Sequence, residues 1–126
     1  MNKPYEIIFE NEIRFGPSYF RLLIKGKEVK GAIFGDCCSE LSDGKYLAIQ
    51  EWLTTDYQEG PRTRVAVFNL EDSTVARLES INKGFAQSFE LENGIFNYTK
   101  FFTIENKTIN CEVQWNKIEN WIPFNV

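Results

Sequence analysis

Asn93-Gly94 restricts this chain more than any other pair of residues. The dipeptide accepts the positive φ angles of a type I′ turn without strain, and apolar and polar residues alternate on both sides of it. Counting outward sets Leu91 opposite Phe96, Phe89 opposite Tyr98, Gln87 opposite Lys100 and Phe85 opposite Phe102. A slip of one residue would move every apolar partner to the other face, so the segment is predicted to form an antiparallel hairpin. If Asn106-Lys107 closes the next hairpin, Ile104 meets Ile109 and Phe102 meets Cys111. Ile109, Cys111, Val113 and Trp115 then join the same apolar face, and residues 85–115 form a three-stranded meander.

The same period of two recurs upstream. Tyr5, Ile7, Phe9, Ile13 and Phe15 alternate with charged residues in a first strand broken near Asn11, and Phe20, Leu22 and Ile24 define a second. Gly26-Lys27 fits a two-residue hairpin loop, which would set Ile24 opposite Val29 and Phe20 opposite Ile33. Residues 35–44 read as a polar, acidic connection leading into the strand KYLAIQEWL, and residues 54–61 as a second polar loop. RVAVFNL is apolar on both faces, as a central strand requires, and VARLESI continues as a weaker strand. In the tail, Trp121, Ile122 and Phe124 are expected to cover an open end of the core. The expected fold is mainly β: an antiparallel meander of about seven to nine short strands forming a curled sheet, sandwich or partly open barrel, with little helix.

At 126 residues the chain fits a single β-rich domain, residues 1–126. The start, MNKPYEIIFE, lacks the apolar stretch of a signal peptide, and no apolar run approaches the roughly 20 residues that span a bilayer. A cytoplasmic protein with no membrane partner is the expectation. Cys37, Cys38 and Cys111 are an odd set without CxxC spacing, which reads as reduced thiols.

Fourteen Lys and Arg against eighteen Asp and Glu give −4, which argues against direct nucleic-acid binding. The charge is unevenly spread. Between residues 36 and 59 lie Asp36, Glu40, Asp43, Glu51, Asp56 and Glu59 with Lys45 as the one base, so this stretch carries −5 and the rest +1. Tyr46, Trp52 and Tyr57 fall within it. Acids beside aromatic anchors suit a basic protein partner, because charge speeds encounter and buried rings supply lasting affinity. The nine residues Asp36, Glu40, Asp43, Tyr46, Glu51, Trp52, Asp56, Tyr57 and Glu59 are therefore the candidate contact set. For any one acid, keeping a loop solvated is an equally good explanation.

The chain contains no histidine, which removes Ser-His-acid and Cys-His catalysis and histidine-liganded zinc. No GxxxxGK[ST] or GxGxxG run cradles a phosphate, and Asp36, Glu40 and Asp43 miss calcium-loop spacing. No cofactor, metal or catalytic residue is expected. One enzymatic opening remains: Glu51 alternates with Leu47, Ile49 and Leu53, where burial would make it a carboxylate acid for hydrolysis. The simpler reading is that a bulge or strand end turns Glu51 outward.

SDGKYLAIQEWL followed by RVAVFNLED resembles part of a β-propeller blade over residues 42–72, although the chain is too short for a propeller. The whole chain resembles the small cytoplasmic immunity proteins of bacterial contact-dependent inhibition and related polymorphic toxin systems. It is short, acidic and free of enzyme motifs, with acidic segments such as DCCSELSDG and EWLTTDYQEG. That resemblance implies an immunity protein that neutralises a cognate toxin, often a basic nuclease, by covering its active site. A small-ligand or carbohydrate-binding β-domain, with Trp52, Tyr57, Trp115 or Trp121 in a concave pocket, is the first alternative. A carboxylate-dependent hydrolase is the second.

Overall fold

A computed structural model describes residues 4–13, 16–56, 58 and 60–124. Among them are nine strands of four residues or more: β1 (Tyr5–Glu12), β2 (Ser18–Ile24), β4 (Ile33–Leu41), β5 (Tyr46–Trp52), β6 (Arg62–Asn69), β7 (Thr74–Arg77), β9 (Phe85–Glu92), β10 (Ile95–Phe102) and β11 (Lys107–Gln114). Three two-residue strands supplement them: β3 (Lys27–Glu28), β8 (Ile81–Asn82) and β12 (Ile122–Pro123). Among the described residues helix is confined to one 3₁₀ turn, Trp115–Lys117. No helix among the described residues is long and apolar enough to cross a membrane.

All pairings are antiparallel and form two sheets. The larger has the order β1-β2-β4-β5-β6-β7-β12, with β3 on β2 and β8 on β6; the smaller is the meander β11-β10-β9. Strand β6 explains why two layers suffice. Val65 and Val67 point to one face and Ala66 and Phe68 to the other, and all four are fully buried. On the first face, Ala48, Val65, Val67 and Ala76 pack against Ala86, Phe89, Phe96 and Tyr98 of the meander. On the second, Leu47, Ile49, Ala66 and Phe68 are covered by Leu22, Ile24 and Val29 of the same sheet, with Tyr5, Ile7 and Phe124 at the margin. The large sheet therefore curls over its own face, without closing into a barrel.

The Asn93-Gly94 turn forms as expected, with φ of 53° and 75°, and Leu91 faces Phe96. Beyond it Ser88, at φ 58°, inserts a bulge that moves the register by one. Phe85 then meets Phe101 rather than Phe102, and Ala86 enters the core. The next hairpin closes over four residues, Thr103–Asn106, rather than at Asn106-Lys107. Cys111 thus pairs with Tyr98 and Val113 with Phe96, while Ile104 stands exposed at the tip. The shift is an even number of residues, so Cys111, Val113 and Trp115 still face the core, while Ile109 is 38% exposed. The first hairpin likewise turns at Lys25-Gly26, with Ile24 opposite Lys27 and Phe20 opposite Phe34.

Residues 35–41 are not a loop, as their polarity suggested, but the body of β4. β4 approaches β5 closely here: a Cβ on Gly35 would lie 2.5 Å from Nε2 of the buried Gln50, so glycine lets β4 lie here without displacing that amide. A register irregularity between Phe34 and Cys38 follows. The tail divides its work. Trp121 packs on the inter-sheet core and Phe124 lies edge-on to Phe68 at 5.2 Å, whereas Ile122 pairs with Val75 and stays exposed.

Candidate functional site

Strand β5 runs the length of the sheet, so its two ends deliver the acidic stretch to two separate places about 20 Å apart. At the Tyr46 end, Glu40 projects from β4 and Asp43 from the β4–β5 turn, both exposed, whereas the exposed Asp36 falls in the irregular stretch of β4 between Phe34, which faces Glu51, and Cys38, which faces Ile49. Ser42, Asp43 and Gly44 have φ of 51°, 56° and 86°, a tight reversal that presents the aspartate outward. Opposite β4 lies β9, which brings Glu90 and Glu92, also exposed. Glu40, Glu90 and Glu92 share a shallow groove of about 410 Å³ with Ser39, Ser42 and Leu91.

A second groove of about 420 Å³ adjoins the first through Ser42 and Leu91 and is walled by Tyr46, Trp115 and Lys45. Tyr46 is half-buried, with its ring 4.8 Å from Trp115 and 5.9 Å from Trp121; the two indoles lie 6.0 Å apart. The aromatic side of the site is therefore rigid, because each ring is wedged by the others.

The β4–β9 seam also sets the local thiol chemistry. Burial pushes the Cys37 thiol up, a hydrogen bond with the Ser88 backbone opposes it, and Asp36 adds to the rise. Cys37 packs on the inter-sheet core and Cys38 on the second core, so the adjacent thiols point apart; all three cysteines are free. Burial likewise raises the Tyr5 hydroxyl, with Cys38 and Glu40 adding to it.

The other end of β5 holds a different arrangement. Glu51 is 3% exposed, not turned outward, because no bulge interrupts β5 against β6 and the alternation carries it to the inner face of the curl. Its carboxylate accepts hydrogen bonds from Arg64 Nε at 2.8 Å and Nη2 at 3.3 Å and from Arg77 Nε at 2.9 Å. With both carboxylate oxygens engaged by guanidiniums from two other strands, Glu51 is a structural anchor. Trp52, on the opposite face, is buried against Phe85 at 5.6 Å. Both side chains are thus buried.

Asp56 is exposed in the β5–β6 loop, where its Oδ1 accepts the Gln58 amide at 3.0 Å. Tyr57 and Glu59 lie outside the described residues. Of the nine candidates, the structure thus groups Glu40, Asp43 and Tyr46 at one end and separates Asp36, Glu51, Trp52 and Asp56 from them. Sequence reasoning did not include Glu90, Glu92 and Trp115 in the contact set. The Asn93-Gly94 register already turned both glutamates outward; what it lacked was the long-range packing of β9 beside β4.

Trp52 borders a groove of about 450 Å³ and Trp115 one of about 420 Å³, and among the described residues no three Cys, Asp or Glu side chains converge as a metal set. No protein-family model matches the chain, and neither a curated protein nor a solved structure matches it.

Proposed function

We propose that this chain is a binding protein of the immunity type, which neutralises a cognate bacterial toxin by covering its active site with the acidic groove between β4 and β9. The observation that carries this reading is the joining of two unlike surfaces. Glu40, Glu90 and Glu92 line one groove, and Tyr46 and Trp115 wall the groove that shares Ser42 and Leu91 with it. Carboxylates on two separate strands would attract a cationic surface such as a nuclease's substrate-binding face, and the wedged rings would supply contact area at low entropic cost. Asp43, exposed in the β4–β5 turn next to Ser42, extends the negative field.

The partner is sought in the neighbouring reading frames as the C-terminal domain of a large secreted toxin. Co-expression of this chain should protect cells from that domain, and the two should co-purify. Replacing Glu40, Glu90 and Glu92 together by lysine should slow association by at least tenfold at low salt. Absence of protection together with absence of binding to that domain would sink the proposal.

A further inference from the structure

We propose that Arg64 and Arg77, held in place by the buried Glu51, form a binding site for an oxyanion, a phosphoryl or carboxylate group, independent of the acidic groove at the other end of β5. Glu51 is 3% exposed, while the Arg64 and Arg77 side chains are 30% and 24% exposed, so the carboxylate lies beneath two guanidiniums that solvent reaches. Arg64 spends Nε and Nη2 on Glu51, and Arg77 spends Nε. Arg64 Nη1 and both terminal nitrogens of Arg77 face no other acceptor among the described residues. One carboxylate against two guanidiniums leaves a net positive charge at a place where the donors are already oriented.

Preorientation distinguishes this pair from ordinary surface arginines. A free arginine loses side-chain entropy when it captures an anion, whereas these two have lost it to Glu51 during folding. Planar guanidiniums with paired N–H donors match phosphate and carboxylate geometry.

A third cation stands alongside. Arg62 precedes Arg64 by two residues on β6 and therefore points to the same face, with Asn82 as its cross-strand partner. Arg62, Asn82 and Lys83 also line a cavity of about 1000 Å³, which Asp56 borders as well, so there is room next to Arg62, two residues along β6 from Arg64, for the group bearing the oxyanion.

The test follows the Nε–H resonances of Arg64 and Arg77 by NMR while inorganic phosphate or acetate is added, with sodium chloride at equal ionic strength as the control. Saturable shifts with a Kd on the order of 1–10 mM are expected for at least one of the two anions. Phosphate binding at least tenfold tighter than acetate assigns a phosphoryl ligand, and comparable binding assigns a carboxylate. Arg77→Gln should weaken binding at least tenfold. Arg77→Lys, which keeps the charge but loses the planar donors, should weaken it about threefold and serves if the glutamine variant does not fold. Shifts that sodium chloride reproduces, that fail to saturate, or that persist unchanged in both variants would overturn the site.

Discussion

Glu51 of β5 and Arg64 of β6 are direct cross-strand partners, and the guanidinium meets both carboxylate oxygens, at 2.8 and 3.3 Å. Arg77 of β7 reaches the same carboxylate at 2.9 Å, so one buried side chain ties three consecutive strands together on the inner face of the curl. Replacing Glu51 by Gln leaves the packing volume but removes the charge that both guanidiniums face. Because the arginines are partly exposed, the loss should fall below that of a fully buried pair, at about 2–3 kcal/mol. Urea denaturation measures it. A cost under about 0.5 kcal/mol, the value for an exposed glutamate, would mean that the carboxylate does not hold the strands.

Gln50 makes a second polar contact in the interior, with Ala86, and packs closely on Gly35. Oε1 of Gln50 accepts the Ala86 amide at 2.9 Å, joining β5 to the first residues of β9, and its Nε2 occupies the space where a Gly35 side chain would stand. Gly35→Ala should displace the amide and leave the Ala86 N–H without its acceptor, at a cost of about 1–3 kcal/mol. In Gln50→Ala the same alanine at position 35 should be far better tolerated. The non-additivity in a double-mutant cycle is the readout.

The extent to which the sequence revealed this fold follows the range of the interactions involved. Strand identity and face were legible, because alternation is local: Val65 to Phe68 announced a strand buried on both sides, and Leu91 opposite Phe96 followed from one turn. Register errors of two or four residues left the faces intact, as Cys111 and Val113 show. What escaped was set by distant partners. Strand β4 is polar enough to pass for a loop, and only Gln50, fifteen residues on, reveals why Gly35 belongs in a strand. The candidate site escaped in the same way. Glu51 looked like part of an acidic surface until Arg77, twenty-six residues away, was folded against it.

Ser88 holds the bulge that brings Ala86 rather than Phe85 into the core, and it does so at φ 58°. Glycine should tolerate that conformation as well or better, so Ser88→Gly is expected to lie within about 0.5 kcal/mol of the parent. Ser88→Val, β-branched at positive φ, should cost about 1–2 kcal/mol. Equal stability of the two variants would count against the bulge.

The pH dependence of stability should be nearly flat through neutrality and fall on the alkaline side. No histidine titrates between roughly pH 5 and 8. Burial raises Cys37 above 9.0 and Tyr98 above 10.0, with Cys111 and Glu79 adding to the rise at Tyr98. A group whose folded pKa is raised contributes stability that is whole below the unfolded value and lost as pH climbs through the folded one. The urea midpoint should therefore decline above about pH 9. On the acid side, the hydrogen bond from Lys100 and then its charge hold Glu79 below 4.5. That contribution is present above the unfolded value and fades as pH falls through the folded one, and the exposure of Glu79 keeps it small. Tyr98→Phe keeps a ring against Phe96 while removing the ionisable hydroxyl, so it should flatten the alkaline decline and leave the neutral plateau in place. A decline of equal steepness in the variant would locate the alkaline sensitivity elsewhere in the fold.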